Sequence, residues 1–157
     1  MQPCVEVDYH SNVNDLSFST TRYADETCLC LHVQRAARRL ARRLDNALRP
    51  IQLTNGQFSL LAALDRPEPA RMGPIAELLA MDRTTLIAAL KLLERRGLVD
   101  IAVDPRDRRG RLLSLTEAGH RLLAAAMPIW TRFHAAVTAR LPEDEADRLR
   151  TALRAIS

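Results

Sequence analysis

The sequence predicts a mostly α-helical protein that contains one small β-hairpin. Alanine and leucine dominate the apolar residues, and the chain of 157 residues has only one Trp, two Tyr and three Phe, a composition that favours helices over a β-sandwich. Apolar residues recur with helical spacing along most of the chain. Residues 98–115 differ, because two segments of alternating polarity there flank a short basic turn. This length suits one domain, or one core with dimerisation arms.

The first predicted elements are an N-terminal arm and a long helix. Residues 1–24 have no sustained apolar period and many Ser, Thr, Asn and Asp residues, so they are interpreted as an arm. A helix is expected from about Asp25 onward, with Asp25 or Thr27 as its N-cap and Pro50 as its end. Its apolar stripe has leucines at four-residue spacing, at Leu40, Leu44 and Leu48.

Two helices joined by a tight turn are predicted next, after a helix over LTNGQFSLLAAL that Pro67 and Pro69 close. The first is the short segment MGPIAELLAM, which has Pro74 in its first turn. The second is RTTLIAALKLLERR, which Asp82 caps and after which Gly97 is a favourable C′ residue. This order of elements is that of a helix-turn-helix.

A β-hairpin and two further helices complete the predicted order. The segments LVDIAV and RLLSL alternate as strands do, and DPRDRRGR joins them, with Pro105 and Gly110 expected to shape the hairpin tip. A long helix follows Thr116 and is expected to bend at Pro128, and the last helix is expected over PEDEADRLRTALRAI. The sequence therefore predicts a winged helix-turn-helix over residues 50–116, with flanking N- and C-terminal helices.

The positive charge of the chain is concentrated in two blocks, although the formal net charge is only +4. Residues 1–34 carry five acids and one arginine, residues 35–49 carry six arginines and one acid, and residues 83–111 carry eight bases and four acids. Such clustering is typical of proteins that bind a polyanion, although a solvated helix face gives the same count. Arginine supplies 22 of the 23 basic residues, and its planar guanidinium suits bidentate phosphate contact.

The string LLERRGLV, followed by DPRDRRGRLLSLTEAG, resembles the winged helix-turn-helix of the MarR family of bacterial transcription regulators. The order of elements extends this resemblance over residues 25–156. It implies a homodimer in which residues 25–49 and 117–157 form dimerisation helices. It also implies that residues 50–116 bind double-stranded DNA at a pseudo-palindromic operator, and that a small phenolic ligand, a metal or thiol oxidation releases a repressor of this kind from its DNA.

The resemblance places the DNA contacts on the second helix of the helix-turn-helix and on the wing. The helix contributes the three residues at its start, Arg83, Thr84 and Thr85. In the wing, Arg109 is implied to enter the minor groove while Asp107 holds it. Phosphate contact and a solvated turn are both open for three further arginines, Arg106, Arg108 and Arg111. One departure from the family is Ile87-Ala88, where polar or basic residues are common; these two side chains could touch a thymine methyl group or simply pack.

The segment CLCLH, from Cys28 to His32, is the candidate sensor. A position near a helix N-terminus favours a reactive thiolate. Residues i and i+2 of a helix point about 200° apart, so Cys28 and Cys30 are not expected to form an intrahelical disulfide. Cys28 and His32 share a face, and Cys4 or a residue of the partner chain could complete a redox pair or a soft-metal site. The alternative is that these cysteines are small buried hydrophobic residues.

A ligand pocket between the dimerisation arms and the DNA-binding lobe is also implied by the resemblance. His32, Arg35 and Phe58 are candidates to line it. Trp130 is interpreted first as a core or dimer contact, with pocket lining as its alternative. No metal site is expected, because the four histidines are dispersed along the chain, and no cofactor is implied.

Several classes of protein are not expected from this sequence. No apolar run approaches the roughly 18–20 residues of a membrane span, and the N-terminus lacks the basic and apolar regions of a signal peptide. Three cysteines, an odd number, argue against a secreted disulfide framework, so a cytoplasmic protein is expected. No catalytic triad spacing, glycine-rich phosphate loop or carboxylate pair indicates an enzyme. The alternative to a DNA-binding repressor is a winged-helix protein-interaction module with weak DNA contact, which Ile87-Ala88 supports.

Overall fold

The computed structural model describes residues 18–156, and the chain divides into two compact units, Met1–Arg39 and Leu40–Ser157. Most of the predicted N-terminal arm, including Cys4, lies outside the described residues. The predicted class is confirmed, since the described residues form helices and one small antiparallel sheet. Within this described part, no helix is both long and apolar enough to span a bilayer.

Helix α1 at Phe18–Thr27 is the first described element, and α2 at Leu29–Leu48 begins in the first unit and continues into the second. The expectation of an arm up to residue 24 and of one helix from about Asp25 is therefore corrected. Periodicity missed α1 because the segment FSTTRYADET carries no apolar stripe. An ion pair of 2.9 Å between Arg22 Nε and Glu26 Oε1 supports this helix instead.

The second unit contains the predicted order of elements. A 3₁₀ turn at Arg49–Ile51 follows α2, and five helices and three strands come after it. The helices and strands are α3 at Asn55–Leu64, β1 at Ala70–Arg71, α4 at Met72–Leu78, α5 at Arg83–Arg95, β2 at Val99–Asp104, β3 at Asp107–Leu115, α6 at Glu117–Thr138 and α7 at Glu145–Ala155.

The sheet has the strand order β1-β3-β2, and both pairings are antiparallel. Strand β2 pairs with β3 from Val99 opposite Leu115, as the predicted hairpin requires. The third strand, β1, was not predicted, because two residues are too few to show alternation. Its residue Arg71 lies opposite Leu112, so the segment that enters α4 is attached to the outer edge of the wing.

A core of leucines holds α3, α4 and α5 against the sheet and α6. Leu61 of α3, Ile75 of α4 and Leu113 of β3 are fully buried. Helix α5 contributes three buried residues at helical spacing, Leu86, Leu90 and Leu93. The core extends to Leu48 at the end of α2 and to Leu123 and Ala126 of α6. This apolar packing fixes the orientation of α5 relative to the wing.

The ends of α3 and α5 follow the capping signals of the sequence, whereas the start of α7 does not. Thr54 and Gln57 form a capping box at the start of α3, and Asp82 caps α5. Gly97 adopts a φ of +68° directly after α5, as its predicted C′ role requires. Helix α7 begins at Glu145 rather than at Pro142, because Asp144 takes up the left-handed conformation, with a φ of +64°.

The start of α6 is tied to the end of α5 by two residues of the segment LTEAG. The hydroxyl of Thr116 accepts a hydrogen bond of 3.0 Å from the N–H of Gly119 and donates one of 2.7 Å to the carbonyl of Gly97. A Cβ atom at Gly119 would lie 2.1 Å from the carbonyl oxygen of Leu98. Only a residue without a side chain fits at this position. We name the contacts of Thr116 with Gly97 and of Gly119 with Leu98 the α6 junction.

We expect Gly119→Ala to lower the free energy of unfolding by about 3 kcal/mol, near the upper end for overpacked sites, because the methyl group would displace the Leu98 backbone. Gly56→Ala in α3 is the matched control, since its Cβ would meet no atom within 4 Å. The control should leave stability unchanged or raise it by up to about 1 kcal/mol. Urea unfolding followed by circular dichroism measures both changes, and equal stability of the two variants would contradict this account of the junction.

Candidate nucleic-acid interface

Helix α5 has a buried face and an exposed face on opposite sides. Its buried leucines face the core, and the opposite side carries exposed residues at helical spacing. We name this opposite side the outer face; it consists of Thr84, Ala88, Lys91 and Arg95. Lys91 and Arg95 were not singled out from the sequence, although their spacing of seven and eleven residues from Thr84 places them on its face. The outer face is thus polar and basic along about three turns of the helix, with one small apolar residue between.

The start of α5 is held by Asp82. Its carboxylate accepts hydrogen bonds from the backbone N–H of Thr85 at 2.9 Å and from the Thr85 hydroxyl at 2.6 Å. These bonds hold the pKa of the Asp82 carboxyl below its ordinary value, although desolvation opposes the shift. The helix N-terminus therefore already has an anionic partner, so anion contact at this end depends on the exposed Arg83 and Thr84 side chains.

Ile87 does not belong to the outer face. It is half-buried and lines a groove between α5 and the sheet together with Met72 and Ile101. Arg109 and Arg111 line the same groove. This position favours the packing interpretation of Ile87 over contact with a thymine methyl group, whereas Ala88 remains exposed.

The tip of the wing is a two-residue turn at Pro105-Arg106, between Asp104 and Asp107. Pro105 occupies the predicted turn position, but Gly110 does not belong to the tip; it lies within β3. A Cβ atom at Gly110 would lie 3.1 Å from the carbonyl oxygen of Asp107 and 3.2 Å from the Cβ of Asp104. A side chain here would be in tight contact with the β2 end, so Gly110 serves this close approach rather than the turn itself.

Both aspartates of the wing accept a backbone N–H from two residues further along the chain. The Asp107 carboxylate accepts that of Arg109 at 3.0 Å, and the Asp104 carboxylate accepts that of Arg106 at 2.9 Å. Asp107 thus holds the backbone of Arg109 and leaves the exposed guanidinium free of this carboxylate. The N–H of Arg106 bonds the one buried polar side chain among the described residues, Asp104, which is 2% exposed.

An ion pair joins this buried carboxylate to β1. Arg71 Nη2 lies 2.9 Å from Asp104 Oδ2, and the Arg71 side chain is 60% exposed. The Arg106 N–H is the main cause that holds the pKa of Asp104 below its ordinary value; burial opposes the shift and the Arg71 charge supports it. Sequence analysis missed Arg71, because its partner is 33 residues away and no local pattern marks it.

Four arginines from three elements surround one cleft of about 310 Å³ beside the wing. We name it the wing cleft. Its arginines are Arg71 of β1, Arg83 of α5, and Arg109 and Arg111 of β3, and its other lining residues are Met72, Gly73, Ala76, Asp104, Asp107 and Gly110. The structure thus brings three of the predicted DNA-contact arginines together. Arg106 and Arg108 are exposed outside this lining.

The candidate sensor residues fall into the two units. Cys28 and Cys30 are exposed free thiols of the first unit, which does not match the alternative of small buried hydrophobic residues. Cys28 lies between α1 and α2 rather than inside a helix, and its carbonyl accepts the N–H of His32 at 3.1 Å. The His32 ring approaches the Glu26 carbonyl oxygen at 3.0 Å, and Arg35 is exposed on α2. Across residues 18–156, no group of three His, Cys, Asp or Glu side chains is arranged to hold a metal.

Phe58 and Trp130 lie in the second unit and stack on each other with ring centroids 6.2 Å apart. Trp130 also stacks on His134 at 5.0 Å. Phe58 is buried in the core and Trp130 packs against it, half-buried. This arrangement matches the core interpretation of Trp130.

The known proteins to which this chain is similar are transcription regulators. Residues 51–110 match the model of the MarR family. The HTH-type transcriptional repressor NicR of Pseudomonas putida is 38% identical over 77 residues, which are 49% of this chain and 49% of NicR, so the match spans about half of that relative. The transcriptional regulator HosA of Escherichia coli O111:H- is 34% identical over 60% of this chain and 70% of HosA. The solved structure of the M. tuberculosis transcriptional regulator MOSR in complex with DNA is 37% identical, with a TM-score of 0.72 over 80% of this chain and 91% of that one.

The outer face of α5 generates a prediction about salt. If Lys91 and Arg95 contact phosphates, Lys91→Ala and Arg95→Ala should each reduce the slope of log K against log salt concentration by about one for each copy bound. Arg121→Ala is the control, because Arg121 pairs with Glu117 on α6 and lies outside the outer face. Titration of labelled duplex DNA at several salt concentrations measures the slopes. Unchanged slopes in both α5 variants would remove these residues from the interface.

Proposed function

Because the chain belongs to the MarR family of transcription regulators, we propose that it is a homodimeric DNA-binding repressor. The observation that carries the proposal is the convergence of Arg83, Arg109 and Arg111 on one cleft, beside the exposed basic face of α5. Arginines in such an arrangement suit a duplex, whose backbone presents phosphates at regular spacing. As a transcription regulator, the protein is proposed to act in the cytoplasm and to catalyse no reaction.

In the proposed complex, α5 enters the major groove and the wing reaches the adjacent minor groove. Thr84 and Ala88 face the base edges from the outer face, while Arg83 and Thr85 lie at the helix start near the backbone. Ala88 is small enough to allow close approach to the groove floor. Arg109 inserts into the minor groove, where the negative potential of a narrow A·T-rich segment favours a guanidinium. Phosphate contacts complete the wing and come from Arg106, Arg108 and Arg111.

The dimer is proposed to form through residues 25–49 and 117–157, and residues 50–116 form the DNA-binding lobe of each copy. Support comes from large apolar side chains that are exposed on these helices: Leu40 of α2, Met127 of α6, Leu149 of α7 and, directly after α7, Ile156. Two lobes related by a two-fold axis would read half-sites about one helical turn of DNA apart. A pseudo-palindromic operator is the DNA partner that this symmetry requires.

Release from DNA is proposed to follow binding of a small ligand or oxidation of a thiol. Cys28 and Cys30 are exposed in the single chain and lie in the segment proposed to form the dimer, so oxidation of either thiol would act at the proposed dimer contacts. His32, Arg35, Phe58 and Trp130 each remain a proposed ligand contact. The alternative function, a protein-interaction module with weak DNA contact, loses part of its support, because Ile87 lies in the groove toward the wing.

Arg109→Ala should weaken operator binding roughly tenfold to a hundredfold and relax base preference in the minor groove, because one inserted guanidinium is lost. Arg106→Ala in the same wing is the matched control; it should weaken binding to all sequences alike, as loss of a phosphate contact does. Fluorescence anisotropy with duplexes from the region upstream of the gene measures both affinities. Binding of Arg109→Ala at the wild-type affinity would show that the wing assignment is wrong.

Hydrogen peroxide should weaken operator binding by the wild-type protein, because oxidation converts an exposed thiolate to a sulfenic acid or a disulfide. The variant that lacks the reacting thiol, Cys28→Ser or Cys30→Ser, should bind DNA equally well before and after peroxide treatment. Dithiothreitol should restore the wild-type affinity. If peroxide leaves the wild-type affinity unchanged, thiol control is excluded, and ligand control remains for direct test with phenolic acids.

A further inference from the structure

The geometry points to a phosphate-binding site in the wing cleft, in which Arg71 contacts a phosphodiester group of the DNA backbone and Asp104 holds the Arg71 guanidinium in place. The site deepens the proposed function and rests on it. Nothing in the sequence marks Arg71 as a DNA contact, since it lies on a two-residue strand before α4 and outside both the recognition helix and the wing hairpin.

The first support is the difference in exposure within the ion pair. The Asp104 side chain is 3% exposed and the Arg71 side chain is 60% exposed. A buried carboxylate requires partners, and Asp104 has the Arg106 N–H and one guanidinium nitrogen of Arg71. A guanidinium carries five N–H donors, so Arg71 keeps donors that face the solvent side of the cleft.

The second support is the charge around the cleft. Arg71, Arg83, Arg109 and Arg111 line it. The Arg111 guanidinium is turned back onto the hairpin, where Nη1 donates to the carbonyls of Arg108 and Gly110. The two lining carboxylates accept backbone N–H groups of the wing. The cleft therefore has more positive than negative groups, and the ligand that fits it is a single anion with several acceptor oxygens.

The third support is that the cleft is built from rigid parts. Arg71 pairs with Leu112 in the sheet and directly precedes α4, and Gly110 leaves the space into which the Asp104 side chain packs. A guanidinium that a buried carboxylate already orients loses less rotamer entropy on binding than a free one. Arg71 is thus prepared for one phosphate between the recognition helix and the wing.

The test compares Arg71→Gln with Arg71→Lys by titrating operator duplex at several salt concentrations. Arg71→Gln should reduce the slope of log K against log salt by about two for a dimer. For each half-site, the loss of affinity relative to wild type should therefore be about eightfold larger at 0.1 M salt than at 1 M salt. Arg71→Lys keeps the charge and should retain most of the slope. Arg66→Gln is the control. Arg66 is an exposed arginine in the loop before β1; it donates a hydrogen bond to the Ala63 carbonyl and lies outside the wing cleft.

Asp104→Asn separates phosphate contact from a purely structural role. It removes the charge that holds Arg71 but keeps the Arg71 charge itself, so affinity should fall while the salt slope is retained. If Arg71→Gln keeps the wild-type slope, or if Arg71→Gln and Asp104→Asn change slope and affinity alike, the phosphate site is wrong and the pair only supports the wing. Circular dichroism of each variant checks that it is folded. Failure of the wild-type protein to bind any duplex would instead contradict the proposed function.

Discussion

The shape of the wing cleft depends on one buried charge, the carboxylate of Asp104. A carboxylate that is removed from water must be paired and hydrogen-bonded, and Asp104 obtains its partners from two separate parts of the chain. The N–H of Arg106 fixes the turn at the wing tip, and Arg71 connects the wing to the strand before α4. Because both bonds converge on one side chain, the wing tip and the entry to the helix-turn-helix cannot move independently without exposing or unpairing this charge.

The faces of helix α5 have different roles. Its leucines anchor the helix in the core, and Ile87 lines the groove toward the wing together with Met72 and Ile101. The outer face is left to small and basic side chains, so the proposed DNA contacts are separated from core packing along the same three turns. Affinity for a backbone and selectivity for bases can therefore change with few consequences for the fold.

Sequence patterns predicted the parts of the structure that depend on neighbouring residues. Asp82 and Gly97 act within three residues of their own positions, Thr116 caps α6 through the N–H of Gly119, and the hairpin strands show their alternation locally. Strand β1 and the partnership of Arg71 with Asp104 were missed, because they depend on contacts far apart in the chain. The predicted place of Gly110 was wrong for a related reason: the turn closes at Pro105-Arg106, and the close approach of Gly110 to Asp104 and Asp107 appears only in the folded hairpin.

The α6 junction determines how a change in α6 can reach the recognition helix. Thr116 bonds the Gly97 carbonyl, and Gly119 packs directly on the Leu98 carbonyl without an intervening side chain. Gly97 and Leu98 follow the last turn of α5, so a displacement at the start of α6 has no soft layer in which to be absorbed. A small shift of α6 must therefore either move the C-terminal end of α5 or break the junction. In the proposed repressor, where α6 belongs to the dimer, this coupling connects the dimer contacts to the proposed DNA-binding helix.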